Sequence, residues 1–400
     1  MQTGIAALVL ALAPQAVQAP PSFAAEHDRF VLELLRSVTR ERGNVLLSPY
    51  SVAGAIALAR EGAKGDTAAE IDAVFHFPAG AALEALQQSA EALTPKNERP
   101  SGQPAYELGL ANSLWRQSGY PLTPEYLRRV GGVGRAQVFE VDFASAASGA
   151  RDKINAWVSE HTKTRIPELI PPGSPPPATR LVLANAVYLK ARWASPFLAS
   201  RTMARAFHAP AGEVSVPMMA QRARFSLVGR SERAQVLALP YVGGLDMLIV
   251  LPDEVDGLAA VLAEESFADW TAALQPALVE LVLPKFQFEN AYDLVPQLAQ
   301  LGMRAAFSPE LADFSGLSSR ARDPRAPLYI GVVRHKSWIA VDEAGTEAAA
   351  ATSVEIKAGS AMRPDNEVLS FVADHPFLFF VRQRSSGQTL FAGRVDDPAH

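Results

Sequence analysis

The 400-residue chain has no cysteine. That absence excludes disulfides, thiolate catalysis, iron–sulfur clusters and cysteine-ligated zinc. It says nothing about compartment, because a large core needs no covalent staples. An excess of one charge is also missing. With 37 basic and 42 acidic residues the formal net charge is -5, which leaves no electrostatic footprint for nucleic acid. No apolar run approaches the roughly 20 residues that a membrane-spanning helix needs. The seven histidines, at 27, 76, 161, 208, 335, 375 and 400, include no pair four apart that could hold zinc on a helix face. There is no G-x-S-x-G, no H-E-x-x-H and no G-x-x-x-x-G-K-[ST]. Gly62-Ala-Lys-Gly-Asp-Thr67 has phosphate-loop residue types in the wrong order, and reads as a helix stop. Gly131-Gly-Val-Gly134 lacks a third glycine at the required spacing. The expectation is therefore a protein that is not an enzyme, with no metal and no cofactor.

What remains is a globular composition, 48% hydrophobic and 20% charged. The length alone would suggest two or three domains. However, the only low-complexity stretch, Pro171 to Pro177, connects elements rather than separating domains, and there is no internal repeat. Ile5 to Ala13 has the length of a signal-peptide core, and Ala16, Ala19, Ala24 and Ala25 offer small residues for cleavage. The other reading is a disordered leader upstream of the true start. Residues 1–24 are expected to be a leader and 25–400 a single domain, secreted or periplasmic.

Helical periodicity places Phe30, Val31, Leu34, Leu35 and Val38 on one face. Ser48-Pro49 caps a second helix running to about Arg60. Thr67 and Glu70 read as a capping box for a third. Thr123-Pro124 opens another, and residues 147–163 form a further one. Strands are expected at Tyr106–Leu114, Leu181–Leu189, Val236–Leu239, Met247–Leu251, Val279–Phe288, Tyr329–Val333, Phe377–Val381 and Leu390–Val395. Early helices and late strands indicate an α+β domain with more than one sheet. Residues 345–368 stand apart: they lack aromatics and are rich in Ala and Ser. A loop that long inside a compact domain is uncommon and tends to be functional or disordered.

Eight segments, taken in order, resemble the serpin family of protease inhibitors. They are Asn44-Val-Leu-Leu-Ser-Pro-Tyr-Ser51 with Gly62–Thr67; Leu183-Ala-Asn-Ala-Val-Tyr-Leu-Lys190 with Trp193 and Phe197; and Leu283-Pro-Lys-Phe286. Ala312-Asp-Phe-Ser-Gly316, Val341-Asp-Glu-Ala-Gly-Thr-Glu-Ala-Ala-Ala-Ala351, Ala373-Asp-His-Pro-Phe377 and Phe391-Ala-Gly-Arg-Val395 complete the set. The resemblance covers about residue 25 to the end. It implies one domain of three β-sheets with eight or nine helices and an exposed reactive-centre loop, with hinge and loop over 343–368. It also implies suicide inhibition of a serine protease, a cysteine protease being the other class of target. The cleaved loop would insert into the largest sheet and trap the protease as an acyl-enzyme. The alternative is a non-inhibitory carrier or chaperone-like relative. The implied state is a monomer without nucleic-acid or membrane partners, and polymerisation is its failure mode.

By the same resemblance the hinge is Glu343, Gly345, Thr346, Ala348, Ala349, Ala350 and Ala351. A polar cluster beneath the main sheet (the shutter) is Asn44, Ser48, Ser51, Asn185 and His335. The point of loop entry (the breach) is marked by Trp193, Lys285 and Glu343. Counting from Glu343 places the reactive bond at Gly359-Ser360, whereas counting back from Asp374-His-Pro376 points to Met362-Arg363; both stay open. Read as a strand, the loop from Thr346 puts Thr346, Ala348, Ala350, Thr352, Val354 and Ile356 on one face. Every charge, at Glu347, Glu355 and Lys357, falls on the other.

Overall fold

A computed structural model describes residues 23–39, 41–93, 105–131, 137–272, 274–346 and 368–399. Ala348 to Ala351, Gly359, Ser360, Met362, Arg363 and all of the expected leader up to residue 22 lie outside the described residues. Phe23 and Ala24, assigned to the leader from sequence, instead open α1 (Phe23–Val38). There Phe23 stacks on Phe77 and Ala24 is buried. After β1 (Val45–Leu47), α2 (Pro49–Arg60) begins where expected. Ser48 Oγ accepts from Ser51 N, and Pro49 takes the first helical position. From Val52 to Ala59 every residue but Gly54 is buried, so α2 runs through the core.

The expected capping box is not formed. α3 (Gly65–Phe75) has Lys64 at its N-cap, with no side-chain cap bond. Thr67 Oγ1 instead accepts from Asp313 N at 2.9 Å, and Glu70 Oε2 accepts from Arg304 N and Ala305 N at 2.7 and 2.6 Å. A tertiary contact has taken the side chains that a local cap would use. Gly62 belongs to the same contact. Gly316 N donates to its carbonyl, and a Cβ there would collide with Leu317.

The chain continues through α4 (Ala82–Ala92), β2 (Tyr106–Gln117), α5 (Pro124–Gly131), β3 (Gln137–Val141), α6 (Phe143–His161) and β4 (Leu181–Arg192). Four strands follow: β5 (Met203–Ala209), β6 (Gly212–Arg230), β7 (Ala234–Pro240) and β8 (Leu245–Pro252). Next come α7 (Leu258–Glu264), α8 (Phe267–Thr271), β9 (Gln275–Pro284), β10 (Phe286–Asp293), α9 (Val295–Leu301) and β11 (Ile330–Val341). The last strands are β12 (Gly345–Thr346), β13 (Val368–Val372), β14 (Phe377–Gln383) and β15 (Thr389–Val395).

These strands form two hydrogen-bonded sheets. The six-stranded sheet has the order β10-β11-β12-β4-β2-β3, and the other runs β1-β15-β14-β8-β7-β6-β9-β13 with β5 on β6. The latter merges two of the three expected sheets. The 19-residue β6 pairs first with β5, then with β9 and β7, and so carries hydrogen bonding from one into the next. The main core contains Phe286, Phe377 and Phe379, whose rings meet. A second core lies under α6, where Ile154 and Val158 cover Ala184, Ala186 and Val332. The six-stranded sheet is thus covered on both faces, which explains the uninterrupted burial of β4 from Leu181 to Leu189.

Candidate functional site: an opening in the six-stranded sheet

β4 and β11 run parallel and pair from Leu181 and Ile330 up to Val187 and Ser337. Above that point they part, and β12 sits between their far ends. Thr346 pairs antiparallel with both Val341 and Ala191, and Gly345 with Arg192. Asp342 shapes the turn that brings the chain back, its Oδ1 accepting from Ala344 N at 2.8 Å and Gly345 N at 3.1 Å. Gly345 has φ 155°, and a Cβ there would collide with the carbonyl of Ala191. Only glycine fits. Thr346 is 1% exposed, and its hydroxyl lies 2.5 Å from that of Tyr241.

The three residues predicted at the entry point are brought together here. The Trp193 ring stacks on Tyr241 at 4.2 Å, and its Nε1 donates to Asp342 O. Lys285 Nζ donates to Glu343 Oε2 at 2.8 Å, and Thr202 Oγ1 to Glu343 Oε1 at 2.8 Å. Burial alone would raise the Glu343 carboxyl. The bonds from Lys285 and Thr202 outweigh it and hold the group below its usual range. Trp193 N and Phe197 N donate to the carbonyls of Ala344 and Glu343, so this segment is gripped through its backbone as well. Sequence reasoning missed Thr202, Tyr241 and Asp342. Only Asp342, inside the Val341–Ala351 motif, carried any signal.

Lower in the same sheet a chain of polar side chains crosses β2, β4 and β11. Asn112 stands opposite Asn185, and Asn185 opposite His335. Ser48 N donates to His335 Nε2 at 3.0 Å, so that nitrogen is the acceptor and the Nδ1–H donates to Asn185 Oδ1. Asn185 Nδ2 donates to Ser51 Oγ at 2.5 Å and to Asn112 Oδ1; Ser51 Oγ donates to Asn112 Oδ1 at 2.9 Å. Ser48 Oγ donates to Leu390 O. His335 is fully buried, and desolvation lowers its pKa to about 3, so the ring is neutral as this bonding requires.

Asn44 is corrected. It sits before β1, with three extended residues of about 3.3 Å each between it and Ser48. Its amide binds the carboxyl-terminal segment instead, donating to Asp397 O and accepting from Asp396 N and Asp397 N. Asn112 supplies the amide in the cluster that had been assigned to Asn44. Gly54 lets it approach α2, since a Cβ there would stand 2.5 Å from Asn112 Nδ2.

A sheet whose parallel central pair parts at one end around the two-residue strand β12, packed with helices on both faces, defines an α+β protein. The chain belongs to the serpin family: the family profile described as Serpin (serine protease inhibitor) matches residues 25–398. It is 40% identical over 374 residues to an uncharacterized serpin-like protein of Thermococcus kodakarensis, covering 93% of this chain and 84% of that one. It is 38% identical to the leukocyte elastase inhibitor of Bos taurus, covering 94% and 99%. Among solved structures, the fold is similar to Serpin48, a highly specific serpin of the insect Tenebrio molitor. That match has a TM-score of 0.82 and 32% identity, and covers 94% of this chain and 98% of the other.

Proposed function

We propose that this chain is a monomeric suicide inhibitor of serine proteases. The protease's seryl hydroxyl adds to the scissile carbonyl of the loop. The peptide C–N bond breaks, the amine leaves with a proton, and an ester joins inhibitor to protease. Insertion of the loop then carries the ester away before water can hydrolyse it. The observation that carries this reading is β12. The hinge has already entered between β4 and β11, antiparallel to both. Extending it would replace one parallel ladder with two antiparallel ones, and parallel pairing is slightly weaker per residue. The buried Thr346 side chain sets the parity, so continued insertion would turn Ala348, Ala350, Thr352, Val354 and Ile356 toward the main core and put every charge on the opposite face.

The bovine relative's name makes an elastase the first protease to try, and Met362 would suit its pocket. Incubation with elastase-, chymotrypsin- and trypsin-like enzymes should give detergent-resistant complexes. Mass analysis of the released peptide would decide between Gly359-Ser360 and Met362-Arg363. Clean loop cleavage without complexes, and without a rise in melting temperature, would instead indicate a carrier or chaperone-like protein.

The Lys285–Glu343 pair holds the entry shut. Replacing Lys285 with alanine leaves a half-buried carboxylate short of a donor and should speed polymerisation at 45 °C, read by native electrophoresis. An export leader would end upstream of α1, at Ala16 or Ala19, because Ala24 and Ala25 lie within that helix. Amino-terminal sequencing of the secreted or periplasmic form would identify the cut.

A further inference from the structure

We infer that Tyr241 is a positioning residue that sets the register in which the loop enters the sheet; this rests on the insertion mechanism proposed above. Tyr241 follows β7 and is 2% exposed. Its backbone is fixed by a bridge to Trp193 and by a bond from its N–H to Leu245 O; its ring is fixed by the stack on Trp193. Burial raises the phenol's pKa, so it stays protonated and needs a partner. That partner is the Thr346 hydroxyl.

Backbone pairing cannot supply this selection, because every residue offers the same N–H and C=O to its neighbours. A slip of one residue would turn Glu347, Glu355 and Lys357 toward the core, and is rejected by desolvation. A slip of two residues keeps the parity and escapes that penalty. It would place Ala348 opposite Tyr241 and leave the phenol without a hydrogen bond, as would a slip of four, which brings Ala350 there. Thr346 and Thr352 are the hydroxyl-bearing residues of that face, six apart. Each residue of slip shortens the carriage of the protease by about 3.3 Å, giving it a larger chance of escape by hydrolysis.

The test compares Tyr241→Phe, Thr346→Val and the double variant against a protease that wild type traps. Tyr241→Phe keeps the ring and its stack. Each single variant should raise the inhibitor consumed per protease trapped about fivefold, the factor one neutral hydrogen bond represents, and the double variant no further. A merely structural role would show additive losses of melting temperature and an unchanged stoichiometry. Complexes that form with wild-type stoichiometry in Tyr241→Phe overturn the inference and leave inhibition standing. If wild type traps no protease, inhibition is wrong, and register is judged by hydrogen exchange of the amides at 345–346 in the intact protein. Exchange about fivefold faster in Tyr241→Phe supports the contact, and unchanged exchange rejects it.

Discussion

Thr346→Arg is expected to turn this protein from an inhibitor into a substrate. The threonine side chain is enclosed by the sheet, with its hydroxyl on Tyr241 and the Trp193–Tyr241 stack beside it. A guanidinium in that place would be buried while the carboxylates near it are already paired, Glu343 with Lys285 and Asp246 with Arg384, a cost of several kcal/mol. The hinge would leave the sheet instead, and the loop would have to enter past a charged residue after cleavage. Inhibitor consumed per protease trapped should rise by about 100-fold or more, corresponding to about 2.7 kcal/mol in the competition between insertion and hydrolysis. The cut loop should appear on gels without a covalent complex. Trapping at the wild-type level would mean that insertion is not the mechanism.

Acid should weaken the fold through two buried histidines. His27 and His335 are both fully buried, and desolvation is the main cause that lowers each to about 3; nearby His76 adds to the effect at His27. Between about pH 3 and 6.5 the unfolded chain therefore binds protons that the folded protein refuses. Stability is full above 6.5 and falls as the pH drops. At pH 4.5 each histidine accounts for about 2.7 kcal/mol, two pH units at 1.36 kcal/mol each. Asp28 works in the opposite direction. Burial raises its carboxyl to about 6 against the pull of Arg382 and Thr389, so the folded state takes up a proton first and recovers about 2 kcal/mol. The net loss is about 3 kcal/mol, a large fraction of an ordinary domain's stability.

The two histidines should fail differently. Protonating His335 removes the acceptor that Ser48 N needs and puts a charge between β4 and β11, so acid should promote sheet opening and polymers. Among the described residues His27 has no hydrogen-bond partner at either nitrogen, and it lies against Phe23, Phe30 and Tyr50. His27→Phe should therefore raise the melting temperature at pH 7 and flatten its fall toward pH 4.5. A melting temperature that is flat from pH 7 to 4.5 in wild type would refute this account.

Local signals were readable where the chemistry was local. Ser48-Pro49 gives its own cap, and the unbroken apolar run of β4 announces a strand covered on both sides. β5 and β6 went unseen because their exposed face carries Arg205, Arg222 and Arg224, and their pattern is too interrupted to stand out from loop. Val279–Phe288 reads as one strand, but it breaks at Lys285. There Lys285 N bonds Pro217 O while the ammonium reaches Glu343, and the chain passes from the nine-stranded sheet to the six-stranded one. Thr67 and Glu70 show the converse error, side chains with good local capping grammar drawn off by Asp313 and Arg304.

The sequence by itself determined the family motifs, the alanine run after Thr346 and the alternation that keeps charge off one face of residues 346–357. All of these are written in neighbouring residues. Only the tertiary structure decided that Thr346 already lies inside the sheet, that Tyr241 meets it across 105 residues, and that Asn112 rather than Asn44 completes the polar chain under the strands. Such pairings depend on strand register and on which buried polar group lacks a partner. Neither exists until the strands have packed.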